Sequence, residues 1–139
     1  MCNIFTTLAV SNDRRLIVQC EHGTVHLTWD TVTMHLSPVL FHEMSELLME
    51  CSSTSFTQIR RQRCLMNYFE NHKYYQLWFQ GVALNLAPVD FIILVDMVTV
   101  ALAEMEKSPT DQPSLSGSQS VDEQFKTIPA SPGALFSLN

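Results

Sequence analysis

Residues Val25–Glu50, VHLTWDTVTMHLSPVLFHEMSELLME, decide the fold because the chain repeats them. Advanced by fifty positions without a gap, they fall on Tyr75–Val100, YQLWFQGVALNLAPVDFIILVDMVTV. Leu27, Val32, Leu36, Pro38, Val39 and Phe41 meet Leu77, Val82, Leu86, Pro88, Val89 and Phe91. Trp29/Phe79, Met34/Leu84, Met44/Leu94 and Leu48/Val98 keep their apolar character, and His22 lands on His72. Matches that recur in phase with one secondary-structure pattern mark an internal duplication.

The stretch begins with strand periodicity. Val25, Leu27 and Trp29 share one face, and Val32, Met34 and Leu36 share one face of the next strand. Upstream, Leu16, Val18 and Cys20 alternate in the same way. With His22-Gly23 as a two-residue turn, Cys20 pairs with Val25 and Val18 with Leu27. With Asp30-Thr31 as the next turn, Trp29 pairs with Val32, Leu27 with Met34 and Val25 with Leu36. This register gathers the large apolar residues on one face and leaves Gln19, His26, Thr28, Thr33 and His35 on the other. In the second copy Met66, Tyr68 and Glu70 supply the first strand, and Gln80-Gly81 supplies the last turn. Its open face carries Phe69, Gln76, Trp78 and Asn85. Ile4–Val10 reads as a further short strand, and Ser52–Thr57 as a polar turn.

The period then changes to that of a helix. Ser37 is placed to cap it, and Pro38 stands at the first helical position, where a missing N–H costs nothing. Phe41, Met44, Leu47, Leu48 and Cys51 form its apolar stripe, with His42, Glu43, Glu46 and Glu50 outside it. The expected architecture is α+β: two βββα units, 14–52 and 64–106, each an antiparallel meander with one helix packed on one face, related by a pseudo-two-fold axis. Residues 1–106 form a single domain. From 107 to 139 the chain is rich in Ser, Pro, Gly and Gln, and a disordered C-terminal tail is expected. Leu135, Phe136 and Leu138 near its end belong to a terminus expected to fray.

Comparison of the two helices raises a question of burial. His42, Glu43 and Glu50 become Ile92, Ile93 and Val100, and only Glu46/Asp96 keeps a charge. The second helix is then apolar nearly all round, as a surface helix should not be. At about 25 cal/mol per Å², a patch of Ile92, Ile93, Met97 and Val100 represents several kcal/mol of burial to be satisfied. A protein partner, a second copy of this chain included, is the expected cover; folding of the N-terminal segment or the tail over the patch is the alternative. Ile92, Ile93, Asp96, Met97 and Val100 are therefore candidate partner-binding residues, together with the open-face aromatics Phe69 and Trp78.

Composition excludes several classes. The chain is 46% hydrophobic and only 16% charged, with net charge −6, which argues against binding to a phosphate backbone. Its one basic cluster, Arg60, Arg61 and Arg63, falls in a connector and reads as a solvated loop. The run Phe91–Ala103 is too short to span a bilayer. MCNIFTTLAV lacks the features of an export signal, so a cytoplasmic protein with four reduced cysteines is expected.

Chemistry is sparsely signalled. His26 and His35 are cross-strand neighbours in this register, with Gln19 beside them. A zinc centre needs four Cys, His or carboxylate donors, or three and a water, and Gln19 is a poor third. Cys20-x-His22 is half a site, but the register turns Cys20 into the core, where a buried thiol is inert. No phosphate-binding, nucleophile-elbow or zinc-protease motif is present. The sequence thus implies no enzyme, no metal and no cofactor. It points to a non-catalytic interaction module docking through the second helix. The alternative is a regulatory domain that binds a small ligand or a metal near His26 and His35.

Cys20-Glu21-His22-Gly23-Thr24-Val25-His26-Leu27, followed by Val32–Leu36, resembles a group of small uncharacterised bacterial proteins with a C-x-x-G-T-[VI]-H-[LV] hairpin, a further strand and a helix. The resemblance covers about thirty residues. It implies a bacterial origin and a compact β-rich unit, and no activity.

Overall fold

Two antiparallel four-stranded sheets, each followed by a helix, make up the computed structural model, which describes residues 2–115. The first sheet holds β1 (Phe5–Asn12), β2 (Arg15–Cys20), β3 (Val25–Trp29) and β4 (Val32–Leu36), and α1 (Pro38–Ser53) follows. The second holds β5 (Gln58–Arg60), β6 (Cys64–Phe69), β7 (Tyr74–Phe79) and β8 (Val82–Leu86), followed by α2 (Pro88–Leu115). Strands neighbour one another in chain order in both sheets. Each unit is thus the expected meander and helix with one more strand in front. β1 starts one residue after the anticipated Ile4–Val10 and runs two residues past it, whereas β5 is three residues long and lies in what reads as a connector. α2 runs past residue 106 to Leu115; the rest of the anticipated tail, 116–139, lies outside the described residues. Among the described residues no helix is long and apolar enough to cross a membrane.

The β3–β4 and β7–β8 registers are those the alternation predicts, with Leu27 opposite Met34 and Leu77 opposite Leu84. Gln80 and Gly81 both take positive φ, 52° and 74°, as a tight hairpin turn requires. Asp30 takes the left-handed position in the first copy, at φ 59°, a conformation Asp tolerates better than most residues. Ser37 caps α1 as expected, its Oγ accepting from the Leu40 amide at 3.1 Å.

The β2–β3 hairpin departs from expectation by one residue. Ile17 lies opposite Leu27, Val18 opposite His26, and Gln19 opposite Val25. Residues 20–24 make the turn, closed by bonds from Gly23 N to Cys20 O and from Cys20 N to Thr24 O, with Gly23 at φ 87°. A slip of one residue exchanges the faces of a strand. Ile17 becomes fully buried in place of Leu16 and Val18, which stay half-buried on the outer face. Gln19 turns to the core side, where its amide donates to Gly23 O. Cys20 turns outward, onto the face of His26.

The slip also brings Arg15 to the core side, opposite Trp29. Its guanidinium lies 4.0 Å from the centre of the Trp29 ring. It grips Asp30 through both carboxylate oxygens, at 2.9 and 3.0 Å, and Asp90 at 2.9 Å. Asp90 sits in the first turn of α2, so one side chain ties the first sheet to the second helix.

The helices exchange sheets. α2 lies chiefly on β1 and β2 of the first sheet, and α1 reaches β5 and β6 of the second. The helices pack on each other, and Thr99 Oγ1 meets Met49 Sδ at 3.7 Å. Those two positions are fifty apart, so twins touch where the pseudo-two-fold passes. The exchange accounts for the divergence of the helices at Glu43/Ile93. Glu43 of α1 accepts from the backbone N–H and, at 2.7 Å, the guanidinium of Arg63, while Arg61 pairs with Glu50 at 2.7 Å. Arg61 and Arg63 of the arginine cluster are therefore partners for α1, and Arg60 is exposed. On α2, Ile93, the twin of Glu43, is half-buried against a core that includes Leu8 and Ala9, and Met97, the twin of Leu47, is 4% exposed, whereas Val100, the twin of Glu50, is 45% exposed. Met97 is corrected from a partner-binding candidate to core, and Ile93 is half-buried against that core on a helix that packs on β1.

Replacing Arg15 by Ala should cost about 2–3 kcal/mol in denaturant unfolding, between the values for exposed and buried ion pairs. Arg15→Lys should recover little, since an ammonium cannot grip Asp30 with two parallel bonds and reach Asp90 as well. Hydrogen bonding from the Arg63 backbone, assisted by its guanidinium, holds the Glu43 carboxyl below its ordinary value, and Arg15 does the same for Asp30. Such groups stabilise the fold fully above their unfolded values, about 4.3 and 3.9, and cease to do so as pH falls through the lower folded values. Unfolding free energy measured from pH 6 to pH 2 should therefore fall in acid, and Glu43→Gln should flatten that fall.

Candidate metal centre

Four side chains meet at the outer corner of the first sheet. Phe5 pairs with Cys20 and Val18 with His26, which places Cys20 and His26 on one face. The β2–β3 turn contributes His22. Residues 2–4, ahead of β1, cross the turn and bring in Cys2. Glu21 holds that segment: its carboxylate accepts from the Asn3 amide at 3.0 Å and the Ile4 amide at 3.2 Å. A further bond from Glu21 N to Ile4 O, 3.2 Å, fixes the crossing from the other side.

The distances are those of a coordination shell. Cys2 Sγ lies 3.6 Å from His22 Nδ1 and 3.6 Å from His26 Nε2. Cys20 Sγ lies 3.8 Å from His22 Nδ1. Ligand atoms of Cys2, Cys20, Glu21 and His22 all fall within 4.8 Å of one another. A tetrahedral zinc with Zn–S about 2.3 Å and Zn–N about 2.1 Å separates sulfur from nitrogen by about 3.6 Å. With its carboxylate on the Asn3 and Ile4 amides, Glu21 serves as a positioning residue, and two sulfurs with two imidazoles remain as donors.

The thiols differ in state. Burial works to raise Cys20, but hydrogen bonds from Cys2, His26 and the His22 backbone and ring outweigh it and hold the thiol down at about 5. Hydrogen bonding with Cys20 pushes Cys2 up in turn. Cys51 and Cys64 are in the core, and desolvation lifts both to about 12. They are inert packing groups.

The second sheet serves as an internal control. Counting from the paired residues, Phe69, Gln76 and Asn85 occupy the positions of Cys20, His26 and His35. None has a thiol or an imidazole. The same fold is thus built there without a thiol, with His72 of the β6–β7 turn as the counterpart of His22, so packing alone does not call for the Cys20–His26 pair in the first copy.

Of the pair singled out by sequence, His26 belongs to the cluster and His35 does not. Their rings meet edge to face at 4.4 Å, and Phe5 abuts the other side of His26 at 5.2 Å, so His35 and Phe5 orient it. Gln19, the anticipated third donor, faces the other way. Cys2 carries no strand signal and had no stated neighbour in the sequence; the clue to it lay in residues 2–4 preceding a strand that pairs with β2. Phe69 and Trp78 are on the outer face of the second sheet as expected. Phe69 stacks on Tyr74 at 4.9 Å, and Trp78 Nε1 donates to Gln76 Oε1 at 2.6 Å. On α2, Ile92 and Val100 are exposed, at 64% and 45%, with Asp96 between them and Val89 before them at 61%.

Comparison of the chain with protein-family models, with curated proteins and with solved structures gives no match.

Proposed function

We propose that this chain is a non-catalytic metal-binding module that holds one zinc-class divalent ion between Cys2, Cys20, His22 and His26. The observation that carries it is the chain of sulfur–nitrogen separations, 3.6, 3.6 and 3.8 Å, that links His26 to Cys2, Cys2 to His22 and His22 to Cys20. Two thiolates select a thiophilic ion over calcium or magnesium, and imidazole suits zinc. Four protein donors close a tetrahedral shell and leave no open position for a substrate, as structural and regulatory sites do. The ion would add a tie from Cys2 to the bonds by which Glu21 fastens residues 3–4 to the β2–β3 turn.

Cobalt(II) titrated into reduced, metal-free full chain should give one equivalent of a species with tetrahedral d–d bands and a thiolate-to-cobalt charge-transfer band, displaced by zinc. His26→Gln, which imports the residue of the second sheet, should weaken binding by more than about 100-fold, beyond the loss typical of an outer partner. Zinc at a hundred times its Kd should stabilise the wild type by about 2.7 kcal/mol. Absence of the charge-transfer band in wild type would refute the role.

A second role is supported by the exposure of Val89, Ile92 and Val100 along α2. These residues, with Asp96, are the remaining docking stripe for a protein partner, a second copy of this chain in the first instance. Light scattering of the wild type should then give a dimer mass that Ile92→Glu reduces to a monomer without loss of helicity. A monomeric wild type would remove the homodimer.

A further inference from the structure

We propose that Cys2 and Cys20 form a reversible dithiol–disulfide pair, oxidised by hydroperoxide, whose closure dismantles the metal centre. The inference rests on the metal-binding role above and names how that site is regulated. It stands on placement. The two sulfurs lie within 4.8 Å of each other; Cys20 is 5% exposed on the outer face of the sheet, whereas Cys51 and Cys64 belong to the hydrophobic core. Cys20 is fixed at the end of β2, whereas Cys2 lies ahead of β1 and belongs to no strand. The movement needed to join the sulfurs therefore falls on residue 2, ahead of the Asn3 and Ile4 amides that Glu21 holds. Cys2 is also the half-exposed thiol of the pair, with an imidazole nitrogen at 3.6 Å on either side to take its proton.

The chemistry balances with the peroxide as sole oxidant. The Cys2 sulfur, its proton passed to His22 or His26, attacks one peroxide oxygen; the O–O bond breaks and the departing hydroxide takes that proton as water. The sulfenic sulfur of Cys2 is then attacked by Cys20, the S–S bond forms, and the S–O bond breaks to release a second water. Two electrons pass from the sulfurs to the peroxide, and two thiols become one disulfide. With both sulfurs bonded to each other, His22 and His26 remain, too few to hold the ion. A bound ion in turn occupies the sulfur electron pairs, so loaded protein should react more slowly than metal-free protein.

The experiment treats full chain with hydrogen peroxide in two arms. Metal-free, reduced protein is digested and mapped by mass spectrometry; the expected product is a Cys2–Cys20 cross-link with Cys51 and Cys64 still alkylatable. Cobalt-loaded protein is followed at the charge-transfer band, which should fade in step with that cross-link, at least tenfold more slowly than in the metal-free arm, and return when a thiol reductant is added. A normal cobalt band with no Cys2–Cys20 cross-link after peroxide overturns the inference and leaves metal binding intact. A band that persists once the cross-link has formed also overturns it. No band before peroxide is added refutes metal binding itself, and the gate with it.

Discussion

The pairing of β2 with β3 is the constraint from which the rest of this structure follows. Strand side chains alternate strictly between faces, so the turn at residues 20–24 sets the side for every residue of β2 at once. Its five residues send Ile17 inward and Cys20 outward. They also bring Arg15 over Trp29 and within reach of Asp30 and Asp90. One local choice therefore supplies a core residue, the ionic tie between the copies and a donor of the candidate centre.

Exchange of helices between sheets makes the two copies a single folding unit. Neither helix rests mainly on the strands that precede it. Each evolved surface must then suit the rim of the other sheet. α1 faces a rim that carries arginines, and it presents Glu43 and Glu50. α2 faces the apolar β1, and it presents Ile93 and Met97. The apolar surplus of α2 is thus met largely within the chain, and the exposed remainder is a narrow row of Val89, Ile92 and Val100. The first copy has spent its freedom elsewhere, on thiols and imidazoles at a corner that its twin fills with Phe69 and Gln76.

Much of the architecture was legible because duplication and strand alternation are redundant signals. The strands after each first hairpin, both helices, the Ser37 cap and the His26–His35 pairing follow from periodicity and turn residues alone. The candidate site was not legible, for one reason. Leu16, Val18 and Cys20 alternate as well as Ile17 and its neighbours do, and the pattern favours putting three apolar residues inside over one. What decides against it is a polar interaction: Arg15 and Gln19 are satisfied on the inner side, by two carboxylates with a ring and by Gly23 O. A hydrophobic count does not register such compensation. The slip also breaks the gapless fifty-residue match, so aligning Cys20 with Glu70 hid the contrast with Phe69. The arginine cluster was missed likewise, because its partners lie on a helix far back in sequence.

The most direct test of the account is cross-strand backbone NOE spectroscopy on the β2–β3 hairpin of the full chain. The predicted contacts join Ile17 to Leu27 and Val18 to His26. Contacts joining Val18 to Leu27 and Cys20 to Val25 would turn Cys20 into the core, part it from Cys2 and His26, and contradict the account at its root.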